Sequence, residues 1–405
     1  MIFLLLSLST CFDAKLFHLS SVVHNGNTSL SLSSISKQKF LYQSHPLFLL
    51  NRRRSTNIFT LFSSNFAYFS SPIIHSSSSL NIINCNFRNS QKAIVLSSSG
   101  AEYKSNDFSS RYISSTEAHM KDCSFHALSS VQGPPEQTTG GSFYSNGFKV
   151  TFLNCVFTGN SAQSGGAAAI FNTIANFDIC NFSQNHAAMN TGAVLIEKCD
   201  VSFNDCNFVQ NQAEIGIGAL HLKFSTMKAE AVIFHKNSAQ YQTGAVEIQN
   251  SQIQLIGTQF SGNMCAREHG GISVYSKNSS TIMIGCNFDT SVTEGQDKSP
   301  IVTDKFSVFK AKMCCFDANE QIMRKKLEGN IDMSLHNSFG KSCHCNPVPA
   351  QVPFDVSEFN VKLHSNLFSS NFIGNIIVIL VATLSIAVFM LYKNQTNPFE
   401  KIQTL

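Results

Sequence analysis

The sequence predicts an all-β chain, a right-handed parallel β-helix (solenoid) ectodomain followed by one C-terminal transmembrane helix. Three observations predict it: a repeat of about 26 residues, a two-residue alternation of apolar side chains within each repeat, and an uncharged apolar run near the C-terminus.

The repeat carries two markers. Phe157, Phe182, Phe208, Phe234, Phe260, Phe288 and Phe316 follow one another at intervals of 25, 26, 26, 26, 28 and 28 residues, in Cys-x-Phe-x-x-Asn or a near variant. Gly141, Gly166, Gly192, Gly218, Gly244 and Gly271, from Gly-Gly-Ala-Val or a near variant, keep the same period. Two independent markers in phase make a true repeat. Before each Phe, apolar residues sit at minus seven, minus five and minus two, as in Val150, Phe152 and Cys155 or Val201, Phe203 and Cys206. That alternation predicts an extended strand with one buried face. A second short strand follows each glycine, with Leu220 and Leu222, or Val246 and Ile248, pointing in, and His221 and Glu247 pointing out.

Strands this short cannot bury a core alone, so neighbouring repeats stack in parallel at ~4.8 Å, with Phe over Phe. The right hand follows from the preference of parallel crossovers. Asn160, Asn185, Asn211, Asn237, Asn263 and Asn319, three residues after each Phe, are expected to bond the backbone of a turn and to tolerate left-handed conformation, with glycine at the sharper corner. Cys85 with Phe87, and Cys123 with Phe125, read as earlier rungs separated by insertions that loop out, one of them carrying Pro134 and Pro135. Residues 80–320 therefore hold the repeats. Residues 15–79, Ser- and Phe-rich without clear period, are expected to form an irregular N-terminal cap, and residues 321–371, with Cys343, His344 and Cys345, a cap and stalk.

The ends predict a membrane topology. Residues 1–14 begin with a short apolar run followed by small and polar residues, which reads as a signal peptide. Residues 372–392 contain no charge, and 21 residues at ~1.5 Å each span ~32 Å, the thickness of a hydrocarbon layer. Lys393 and Lys401 follow this stretch and Lys362 precedes it, which agrees with a cytoplasmic tail at 393–405 and an extracellular N-terminal bulk at the plasma membrane. Charged residues make up only 13% of the chain and the net charge of +4 is spread along it, so nucleic acid is excluded as a partner. Thirteen cysteines favour an oxidising compartment.

The alternation of SGGAAAIF with CNFSQN, and of TGAV with CNFVQN, resembles the paired repeats of the polymorphic membrane proteins, adhesin-like surface proteins of chlamydiae. The resemblance covers about residues 139–320. A single apolar helix stands where that family carries an outer-membrane β-barrel, so the architecture is similar to single-pass versions on parasitic protists. The resemblance implies a surface or adhesion role and transfers no catalytic residue.

Several side chains are candidates for chemistry. Cys155, Cys180 and Cys206 would lie on adjacent rungs within disulfide range, or remain free as small hydrophobes. Cys314, Cys315, Cys343 and Cys345, with His344, offer a zinc ligand set in principle, but in a secreted chain they are read as disulfide candidates, with a bridge expected from the first pair to the second. No cofactor motif is present: Gly216-Ile217-Gly218 lacks a third glycine and a phosphate-binding helix. Parallel β-helices also host polysaccharide lyases and hydrolases, which need clustered carboxylates. Here His221 and Glu247 stand outward, each without a stacked acidic partner, and the chain has no Trp for a sugar-stacking groove. Asn27, Asn181 and Asn278 head glycosylation sequons, with Asn181 expected to face solvent, and Arg52 to Arg54 read as a solvated loop. In the tail, Asn397-Pro398-Phe399 forms a compact turn that presents the Phe399 ring, similar to ligands of endocytic EH domains. The expected function is non-enzymatic binding of a host-cell or matrix protein or glycan, against two alternatives, a carbohydrate-active enzyme and a passive variable coat.

Overall fold

The computed structural model describes residues 22–23, 28–31, 48–50 and 58–340, apart from 68, 70, 98–115, 131–137, 267–271 and 290–298. The chain winds into a solenoid in which every strand pairs in parallel with its equivalents one coil before and one coil after. One coil shows the plan: Ala168–Phe171 lies in a first sheet, Ile174–Asp178 in a second, Asn181–Ser183 in a third and His186–Ala187 in a fourth. Among the described residues these sheets hold 11, 12, 11 and 6 strands.

Single left-handed residues turn the chain from sheet to sheet. Asn172 (φ +54°), Ile179 (φ +54°) and Gln184 (φ +55°) serve the coil above, and Lys198, Asp205 and Gln210 the next. A left-handed non-glycine residue costs on the order of 1 kcal/mol. The cost is offset because each corner N–H still reaches a carbonyl of the next coil: Ile179 N to Asn204 O at 2.9 Å, Gln184 N to Val209 O at 2.9 Å.

Inside, identical side chains stack. In the third sheet the rings run unbroken from Phe66 through Phe208 to Phe339 at centroid separations of 4.6 to 5.5 Å. Phe208 is fully buried. A second, shorter column of Phe152, Phe177 and Phe203 stacks in the second sheet and meets the first edge-on at 5.4 to 5.7 Å. Area removed from water and these ring geometries together make the columns the main source of cohesion.

Three features differ from the sequence expectation. The repeat asparagines face inward rather than occupying the left-handed corner, which belongs to the residue before each of them, such as Gln184 and Gln210. Asn319 leaves the column altogether and caps a short helix, α1 (Glu320–Lys326), accepting from Gln321 N and Ile322 N. The glycines before the first sheet are required by close approach: a Cβ on Gly192 would overlap the Gly218 carbonyl oxygen, and one on Gly218 the Gly244 carbonyl oxygen.

The solenoid also extends past both expected limits. Phe59–Phe62, Asn65–Ala67 and Ile74–Ser76 form a coil within the stretch read as an irregular cap, and Thr28–Ser31 and Phe48–Leu50 pair onto it. At the other end Asn330–Leu335 and Ser338–Phe339 add to the second and third sheets, while α1 takes the place of a fourth-sheet strand and buries Met323. Strands flanking the two insertions stay in register, with Phe87 over Phe125 over Phe157. The expected signal peptide, the 372–392 span and the tail lie outside the described residues. Among the described residues no helix is long and apolar enough to cross a membrane.

Candidate functional site on the outer face of the first sheet

The second residue of each first-sheet strand points away from the core, yet Tyr144, Ala169, Leu195, His221 and Glu247 are all buried. Part of the cover is the arm that enters each strand. Gly165, with φ +66°, folds back so closely that a Cβ there would sit 3.3 Å from the Leu195 Cβ. The arms stack as a ladder of their own, Met189 N to Gln163 O at 2.9 Å and Gly216 N to Met189 O at 2.7 Å, which holds the overhang in place. Gly216-Ile217-Gly218 belongs to this ladder.

Along this stripe Val95, Tyr144, Ala169 and Leu195 form an apolar cluster outside the main core. His221 and Glu247 continue it and are register partners, so the expectation that His221 lacked a stacked acidic partner is corrected: Glu247 lies directly over it, while Glu247 itself stands between His221 and Tyr275. Their Nε2 and Oε1 stand 3.8 Å apart, beyond hydrogen-bond reach. Neither His221 ring nitrogen, nor Glu247 Oε2, has a hydrogen-bond partner.

Burial controls the protonation of both groups. Desolvation, and then the charge of Lys223, holds the His221 pKa down at about 3. Desolvation pushes Glu247 up to about 7 against the opposing pull of Lys223 and Lys277. The close approach therefore joins two neutral groups under mildly acidic conditions, because the loss of hydration outweighs their attraction across 3.8 Å. Tyr275, the register partner of Glu247 on the other side, is also raised, by burial and then by Glu247. A carboxyl that ionises near neutrality can donate or accept a proton, but among the described residues no second carboxylate of the kind glycoside hydrolysis needs is paired with it. Among the described residues no group of three His, Cys, Asp or Glu side chains could hold a metal ion.

The outer face of the second sheet differs: it is open and polar. Ser202 donates to Asn176 Oδ1 at 2.8 Å, Asn204 to Asp178 Oδ1 at 2.7 Å and Thr226 to Asp200 Oδ1 at 2.7 Å, so side chains of adjacent coils fix one another. Lys149 binds Glu117 at 3.0 Å and, with His119, lowers its pKa.

The remaining sequence candidates are scattered. Asn181 stands on an outward, half-buried strand position with Oδ1 unpartnered, and Asn278 sits at a left-handed corner where its Nδ2 donates to Asn250 at 2.7 Å. Cys315 is disulfide-bonded, which removes it from a thiolate ligand set, whereas the buried Cys314 carries a free thiol. Asn27, Arg52 to Arg54, Cys343, His344, Cys345 and Asn397 to Phe399 lie outside the described residues. Sequence reasoning identified His221 and Glu247 as outward but missed their pairing, although both are third residues after the glycine marker. That shared position was the available signal.

No family model and no curated protein matches the chain. Among solved structures, the crystal structure of tailspike protein 3 of bacteriophage CBA120 matches with 12% identity and a TM-score of 0.23, over 75% of this chain and 57% of the tailspike chain. The match thus spans little more than half of the tailspike, and nothing about this chain's activity follows from so loose a superposition.

Proposed function

We propose that the chain is a right-handed β-helix cell-surface protein, anchored by the single span at 372–392, that binds a host-cell or matrix protein or glycan without chemical turnover. The observation carrying this reading is the polar outer face of the second sheet, whose side chains are tied in rows across coils. The six strands from Glu117–Lys121 to Gln252–Ile256, at ~4.8 Å, extend this face over ~25 Å, long enough for several units of an extended polymer. Donors and acceptors already held in place lose little conformational freedom on binding. The reading agrees with the resemblance to the polymorphic membrane proteins and with the disulfide at Cys315, and it expects glycans at Asn27, Asn181 and Asn278. Residues 15–371, presented to intact cells and to matrix proteins, are expected to bind, and Ser202→Trp to abolish binding while Gln212→Trp on the fourth sheet leaves it intact. Equal binding by both variants would rule out the second-sheet face.

The His221–Glu247 juxtaposition favours a second reading, a carbohydrate-active enzyme in which Glu247 acts as general acid. That reading requires depolymerisation of a glycan by the same fragment and its loss in Glu247→Gln. At the other end, we propose that Phe399 docks an endocytic adaptor. Phe399→Ala is then expected to slow uptake of antibody-labelled protein and raise its surface level, and unchanged uptake would refute the docking role.

A further inference from the structure

The inward position two residues before the third-sheet Phe is a cysteine in five successive coils: Cys85, Cys123, Cys155, Cys180 and Cys206. The backbone holds these residues one over another. Ser124 N donates to Cys85 O, Val156 N to Cys123 O, Asn181 N to Cys155 O and Asn207 N to Cys180 O, each at 2.9 Å. Cα atoms so stacked are ~4.8 Å apart, inside the range that a disulfide spans. All five side chains are buried and all five thiols are free. Three coils further up the same column Cys286 and Cys314 stack in the same way, with Cys315 N donating to Cys286 O at 2.9 Å.

We propose that this column is a set of cross-linking sites in which vertical disulfides join adjacent coils, Cys123 to Cys155, Cys180 to Cys206 and Cys286 to Cys314, with Cys85 left as a thiol. A cysteine bonds once, so five stacked thiols give at most two bonds. The pairing named leaves out Cys85, which is separated from Cys123 by 38 residues, more than the 32 between Cys123 and Cys155 or the 26 between Cys180 and Cys206, so its loop closes least readily. The alternative central bond, Cys155 to Cys180, would strand both Cys123 and Cys206 beside an occupied neighbour.

The oxidant is a small-molecule disulfide such as oxidised glutathione. One cysteine thiolate attacks it, forming a mixed disulfide and releasing one glutathione thiol. The neighbouring cysteine then displaces the second, so two S–H bonds are lost, one S–S bond forms, and two electrons and two protons leave with the two glutathione thiols. Interaction with Cys123 and then Cys180 lowers the Cys155 pKa and favours thiolate there, while interaction with Cys155 and then burial raises Cys123 and Cys180. A glutathionyl group has no room in the closed core, so the first step takes place before a coil has closed onto the next or while one is locally open. Closure then brings the second thiol onto the mixed disulfide.

The test does not depend on where the chain resides. Full-length protein, folded in detergent, is equilibrated with reduced or with oxidised glutathione, denatured, alkylated and mapped without reduction. Oxidation is expected to yield the three named linkages with Cys85 and Cys199 alkylated, and to raise the urea midpoint relative to the reduced sample. Cys180→Val is expected to free Cys206 while keeping the Cys123 to Cys155 linkage. Full alkylation of the column after oxidation, or recovery of Cys155 linked to Cys180, overturns the proposal. The disulfide at Cys315 serves as the internal control that oxidation has gone to completion.

Discussion

Asn211 and His221 are close in sequence and similarly hidden, at 0% and 4% exposure, but their polar atoms meet opposite conditions. Asn211 Nδ2 donates to Phe182 O and to Asn237 Oδ1, both at 2.9 Å, and its Oδ1 accepts from Asn185 N at 3.1 Å and Asn185 Nδ2 at 2.9 Å. His221 makes none of these contacts, and its partner Glu247 leaves one oxygen orphaned. The asparagine column repeats one residue at one position, so each amide satisfies the next. The outer stripe of the first sheet changes residue at every coil, from Tyr144 and Ala169 to Leu195, His221 and Glu247, and no such chain of bonds can form. A buried polar row is stabilising when its members are identical and in register. A buried mixed pair is held by the surrounding fold against its own desolvation, and such places are where ligand binding or proton transfer can be built.

The largest effect expected from this contrast is at the asparagine column. Asn211→Leu removes four hydrogen bonds and orphans the Asn185 N–H, while Asn185 Nδ2 keeps Phe157 O and Asn237 Oδ1 keeps the backbone N–H of residue 211, and is expected to cost about 3 to 5 kcal/mol, ~1 to 3 for the orphaned donor and ~0.5 to 1.5 for each weakened bond. Urea unfolding of residues 15–371 measures it, and a cost below ~1 kcal/mol would mean that the column is not a stabilising network. Phe208→Ala, at the centre of the neighbouring ring column, provides the apolar calibration, with an expected loss of about 3 to 5 kcal/mol from transfer and cavity terms.

The outer pair is expected to show itself through pH. Folding lowers the His221 pKa from 6.5 to about 3, so His221 contributes stability above 6.5 that is lost as pH falls toward 3. Folding raises Glu247 from 4.5 to about 7, so its contribution is present below 4.5 and is lost as pH rises toward 7. Between pH 4.5 and 6.5 the two slopes oppose and cancel in the parent protein. Removing one partner exposes the other: Glu247→Gln should become more stable with rising pH across this window, and His221→Leu less stable, each by roughly 2 kcal/mol. Flat profiles in both variants would show that neither group is desolvated. The smallest change is expected from replacing both with Leu. Removing two unsatisfied buried groups at once should be neutral or stabilising by about 1 kcal/mol, the opposite sign to Asn211→Leu.

Legibility followed the same division. The ring column, the inward cysteines and the parallel register could be read from spacing, because a solenoid coil must place the same side chain at the same height each time. The coil at Phe66 escaped because only 21 residues separate it from Phe87: it has no fourth-sheet strand among the described residues and no paired glycine, so both markers of the period are missing there. The Ser225, Ser251 and Ser279 column at the first corner was also missed, although each hydroxyl accepts the N–H of its equivalent one coil before. Serine is too common in this chain for its recurrence to stand out.

By itself the sequence determined the solenoid, its period and the inward row of each strand, since these rest on one-dimensional periodicity and on the need to bury a repeated apolar face. Tertiary structure alone decided that the asparagines turn inward, that glycine is needed for the carbonyl of the next coil, and that outward His221 and Glu247 are buried together. Each of these depends on distances between residues a full coil apart and on the path of the arm that folds back over the first sheet, which no local pattern of residues encodes.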